Sequence, residues 1–156
     1  MNDIGSYAVD TYNQQGVRTA CLELQDKGWD IPLLLFSGWY GQYHGVLSQT
    51  DLACVVHFTQ QYKVAYVEPI RRMRQTMKRE PLIDDLARWE VQREQVKQWE
   101  LSSEHFQLAA LCGLVNMSQL NPGDLSIREN LERLCHHYGS MDIHYWTHIL
   151  RSKQYE

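Results

Sequence analysis

Five cations, Arg71, Arg72, Arg74, Lys78 and Arg79, gather in the stretch 71–79. On a helix, positions three and four apart share a face, so Arg71, Arg74 and Lys78 line one side. Arg72 and Arg79, a heptad apart, line a neighbouring one. Ile70, Met73 and Met77 add an apolar stripe. Such a helix, over Ile70 to Arg79, can grip phosphates, an acidic protein or an anionic surface. The same residues can also pair with nearby acids such as Glu80, Asp84 or Asp85, and then they form only a solvated face.

Three other groups carry chemistry in their spacing. His144 and His148 stand four apart on a predicted helix, the spacing that lets two imidazoles share a metal, with Cys135, His136 and His137 nearby. The glutamate of an HExxH motif is missing, because Tyr145 follows His144, and a histidine near a helix C-terminus is favoured by the helix dipole without any metal. They are weak metal candidates, and no cofactor is expected. Gly38, Gly41 and Gly45 lie along one stripe with Trp39, Tyr40 and Tyr43 beside them. Glycine weakens a helix, so the stripe points to close approach of another helix or to a small pocket at Trp39, Tyr40, Gly41 and Tyr43. Lastly, the aspartate pair Asp84-Asp85 beside a basic helix resembles the aspartate-rich motif of prenyl-diphosphate enzymes. Arg88 stands where the third aspartate of that motif belongs, and the chain is short for that fold.

The elements that must position these residues are all helical. Apolar residues recur at three- and four-residue spacing, and no stretch alternates as a half-buried strand would. The pattern predicts an all-α, single-domain bundle of six or seven helices over 1–156. Helices are expected near 6–15, 17–27, 31–43 and 48–66, then the basic helix, then one long helix near 82–115. A more variable helical hairpin follows in 121–156. Asp30 and Pro32 mark a helix start, and Gly28 and Gly139 mark stops. The 31–43 helix is apolar nearly all round and should be central. Pro69 should kink or break the chain. In the long helix, Leu82, Leu86, Trp89, Val96, Trp99 and Phe106 form the expected buried row. Leu101, Leu108 and Leu111 form a second stripe, which makes a homodimer conceivable.

Composition bounds the function. The chain has 156 residues, 44% hydrophobic and 22% charged, with a net charge of −4. An acidic balance argues against general nucleic-acid binding. Cys21, Cys54, Cys112 and Cys135 are too scattered for a zinc ribbon, and the first three sit in apolar helical stretches, as buried thiols of a reducing compartment do. The opening Met1-Asn2-Asp3-Ile4-Gly5 lacks the form of a leader, and no apolar run reaches membrane-spanning length. A cytoplasmic protein is expected.

From Gly16 to Lys78 the chain resembles domain-of-unknown-function family 2390. The residues that carry the likeness are Gly16-Val17, then the run from Ala20 to Asp26. They continue with Leu33-Leu34-Leu35-Phe36, Trp39 and the run from Val67 to Arg74, ending at Lys78. The resemblance, which fades after about Trp99, implies a bacterial cytosolic protein and supplies no catalytic residues. The leading expectation is a helical binding or adaptor module whose basic helix meets an acidic or phosphate-bearing partner. The rival is a small-ligand or prenyl-diphosphate-type helical enzyme or carrier using the central pocket.

Overall fold

The computed structural model describes residues 3–117 and 120–151; Met1 and Asn2, the start of the stretch read for a leader, lie outside them, as do residues 152–156 of the C-terminal hairpin. Helices run α1 Ile4–Tyr12, α2 Val17–Asp26, α3 Ile31–Tyr43, α4 Gln49–Tyr62, α5 Glu68–Arg79, α6 Leu86–Cys112, α7 Asp124–Tyr138 and α8 Ile143–Leu150. Among the described residues there is no strand, only one bridge between Gly45 and Leu120. The class is all-α, in one domain.

Local chemistry sets most boundaries. Asp30 accepts the Leu33 amide at 2.9 Å and starts α3, with Pro32 in the first turn where its missing N–H costs nothing. Ser48 accepts the Asp51 amide and starts α4, and Asp85 accepts the Arg88 amide and starts α6. Gly139, at φ 96°, turns the chain out of α7.

The core forms around α3, where every residue from Ile31 to Gly41 is buried. Its principal partner is α7, with α1, α6 and α8 closing the remaining sides. The glycines of α3 permit that contact. A Cβ on Gly41 would lie 2.7 Å from the backbone of Ile127, and one on Gly38 would meet Leu150 at 2.8 Å. The close approach foreseen for this stripe is therefore that of other helices. Asn130, fully buried on α7, ties the 44–48 loop down by accepting the Leu47 amide and donating to the carbonyls of Ser37 and Gly45.

Two expectations change. Pro69 does not break the chain. Lys63–Val67 is π-helical, and the Glu68 amide donates to the carbonyl of Lys63, five residues back. A widened turn of this kind relieves the clash between a proline ring and the carbonyl four residues earlier. The chain is thus helical from Gln49 to Arg79. Of the buried row expected for the long helix, Val96 is buried, but Trp99 and Phe106 are 51% and 61% exposed, about one position off the inner face, and Leu82 and Leu86 are exposed too. The buried face carries Val96, Glu100, Gln107, Leu108 and Leu111. Polar side chains occupy it because other elements bring partners to them, Arg71 and Arg74 to Glu100 and Asp30 to the Gln107 amide nitrogen. Leu108 and Leu111 belong to the monomer core, which leaves Leu101 alone on the supposed dimer stripe. Cys54 is exposed, because the inward face of α4 is Leu52, Val55, Val56 and Thr59.

Candidate functional site

Helix α5 folds back on α6 as a hairpin, and its cations divide into two classes. Arg71 and Arg74 turn inward. Arg71 donates from Nε to Glu100 at 2.8 Å and from a terminal nitrogen to Glu104 at 3.2 Å; Arg74 Nε meets the other Glu100 oxygen at 2.5 Å. Glu100 is only 7% exposed. Burial opposes its ionised form, but hydrogen bonds and charge from Arg74 and Arg71 outweigh that and hold its carboxyl below the ordinary range. Glu104 goes the other way. Burial, reinforced by the charges of Glu100 and Asp30, pushes it up to about 7 despite Arg71.

Beneath Arg71 lies a polar crevice of about 10 Å³, room for about one water. Trp29, Asp30, Lys63, Arg71, Glu104 and Gln107 line it. Asp30 accepts from Gln107 at 2.9 Å while serving as the cap of α3, and burial raises its pKa. Gln107 Oε1 and Trp29 Nε1 are buried with no hydrogen-bond partner. Glu100, Glu104 and Gln107 were missed in the sequence because no motif joins them, and Asp30 was read only as a helix start. Their one signal is that Glu100, Glu104 and Leu108 step by four from Val96 along a single face.

Arg72, Lys78 and Arg79 reach solvent, although Lys78 shares the helical face of Arg71 and Arg74. All three are exposed and have no ion-pair partner among the described residues. The nearest acids in sequence do not neutralise them; Asp85, for one, is occupied as a helix cap. Arg72 also borders an open groove of about 420 Å³ between α5 and α6, which Met73, Met77, Leu82 and Trp89 make apolar. Trp89 is pinned there by a 2.7 Å hydrogen bond from its indole to the Met77 carbonyl.

The other sequence candidates stand elsewhere. Trp39 and Tyr40 are buried, the space beside Gly41 holds the α7 backbone, and Tyr43 packs edge-on to Tyr7. His144 and His148 are exposed on α8, and His148 lies 3.5 Å from Arg151. Among the described residues no three His, Cys, Asp or Glu side chains converge as a metal site.

A family model described as "Protein of unknown function (DUF2390)" matches residues 3–111. The chain belongs to the DUF2390 family. No curated protein and no solved structure matches it. The DUF2390 match takes in α1 through nearly all of α6, and so both sides of the α5–α6 pairing. It leaves α7, the principal partner of α3, outside. No helix among the described residues is long and apolar enough to cross a membrane.

Proposed function

We propose that this DUF2390 chain is a binding module whose helix α5 meets an acidic segment of a partner protein in the cytoplasm. The observation that carries the reading is the division of the α5 cations. With Arg71 and Arg74 committed to Glu100 and Glu104, three exposed cations of the same helix have no ion-pair partner among the described residues. Fixing a helix from within while leaving charge outside gives a preorganised cationic surface, which loses less entropy on binding than a mobile one. Unpaired thiols at all four cysteines fit a reducing compartment. A central-pocket enzyme gains no such support, since the α3 glycines are filled by neighbouring helices.

Fluorescence anisotropy of labelled polyglutamate against the full chain tests the charge directly. Reversing Arg72, Lys78 and Arg79 to glutamate should weaken binding about tenfold or more, since each exposed pair contributes up to ~1 kcal/mol. Raising salt should weaken the native chain in the same direction. Equal affinity for native and reversed chains would remove this reading. Tighter binding of polyphosphate than of polyglutamate would replace the acidic protein with a phosphate-bearing partner.

A further inference from the structure

The groove beside the outward cations has a form that specifies its occupant. Pro69, Arg72, Met73, Thr76, Met77 and the cap residue Glu80 line it along α5, at positions i, i+3, i+4, i+7, i+8 and i+11 of one helical face. That is the seam spacing by which one helix receives another, side chains of the incoming helix seating between its ridges. The seam runs most of the length of α5, whose 12 residues span roughly 18 Å, about three turns. Leu82 and Trp89 form the opposite wall. No element of the described chain fills the groove. Met73 is 49% and Leu82 81% exposed, and α5 has no buried residue at all.

The seam carries opposite charges: Arg72 follows Pro69 by one turn, Glu80 closes the seam about two turns further on, and Arg79 is exposed at that end. Methionines suit such a wall because their flexible thioethers remould to an incoming surface. An extended strand gains little here, since the α5 backbone groups are already bonded within the helix and offer no edge.

We infer that the α5–α6 groove receives an amphipathic helix of a partner protein, with apolar residues at i, i+3 or i+4, and i+7 seated against Met73, Met77, Leu82 and Trp89. A carboxylate of that helix faces Arg72. This names the form of the partner assigned to α5 above and rests on that reading for the acid alone.

Selection of a displayed library of helical peptides, apolar on one face and randomised in charge, on the full chain tests the assignment. The expected product is a family of helices with that apolar spacing and an acid near one end. Their affinity should fall tenfold or more on Leu82→Glu, a change at a position too exposed to disturb the fold, and on Arg72→Glu. The second loss should be restored when the peptide's acid is changed to lysine. Enriched peptides that bind Leu82→Glu as tightly as the native chain would overturn the groove. If those peptides were acidic and lost on Lys78→Glu and Arg79→Glu, the charge reading would survive without it. Helices anchored at Leu82 but indifferent to charge at all three cations would overturn the acid instead.

Discussion

Helices α3 and α5 differ in what holds them. Eleven of the 13 residues of α3 are buried; none of the 12 residues of α5 is. Shape fixes α3: apolar side chains on every side, and glycines that let α7 and Leu150 into near backbone contact. Charge fixes α5: two arginines reach two glutamates of α6, and one tryptophan hydrogen bond adds to them. Close-packed apolar contacts carry no charge to screen or titrate and are most sensitive to changes of volume. Ionic fastening responds to both salt and pH. A helix held in the second way should open more readily than the α3 core when salt or pH changes, while its cations stay preorganised as long as the pairs hold.

The contrast is broken most severely on the α3 side. Gly41→Val forces atoms against the Ile127 backbone, which cannot swing away as a side-chain tip can. We expect a loss of roughly 3 kcal/mol or more and a melting temperature lower by about 10 °C, or failure to fold. Gly41→Ala should show the same direction more mildly. A melting temperature unchanged in both would mean that α3 and α7 do not meet as closely as described.

On the α5 side the largest effect is Glu100→Gln. Arg71 and Arg74 would each lose a carboxylate while staying about a fifth exposed. Removing one partner of a mostly buried pair leaves uncompensated charge, here about 2–3 kcal/mol with partial solvent relief. The loss should be local. Hydrogen exchange is expected to speed up in α5 amides while the α3 amides keep their protection; uniform loss across both helices would erase the distinction between them.

The same contrast explains what could be read from the chain. Helix α3 was legible because its burial is written in apolar residues, its start in Asp30 and Pro32, and its near neighbour in the glycine stripe. The inner face of α6 was not, because Glu100, Glu104 and Gln107 look like solvent residues until Arg71, Arg74 and Asp30 are placed opposite them. Hydrophobic periodicity then settles on Trp99 and Phe106, one step round the helix. The five cations were visible as a cluster, but their division was not: Arg71, Arg74 and Lys78 share a face, and only the first two find carboxylates among the described residues. Which face turns inward depends on the hairpin between Arg79 and Leu86, which sets Arg71 level with Glu100 rather than with the nearer Asp84 and Asp85. Pro69 read as a kink or a break because the π-helical turn that carries the helix through it has no sequence signature of its own.

The smallest expected effect concerns Glu104, and it follows from sign. Burial lifts its pKa from the ordinary 4.5 to about 7, against the pull of Arg71, with Glu100 and Asp30 adding to the rise. Tyr12 also faces it and Lys63 lines the same crevice. A folded-state pKa raised in this way means that the native chain binds the proton more tightly than the unfolded one. The stability that Glu104 contributes is therefore complete below about pH 4.5 and lost as pH rises through about 7. Its side chain is a quarter exposed, so solvent screening reduces the loss to roughly 1–2 kcal/mol. Glu100 has the opposite sign in a lower window: its contribution is present above about pH 4.5 and lost as pH falls. His44, lowered by burial, loses stability on acidification through its ordinary 6.5. Both groups are common to the native chain and Glu104→Gln, so the difference between the two isolates Glu104. Denaturant unfolding from about pH 5 to about pH 8 should show the native chain losing ground to Glu104→Gln as the pH rises, with faster exchange in α5 accompanying it. A constant difference would mean that Glu104 keeps an ordinary carboxylate pKa and stays ionised beside Arg71 across the whole range.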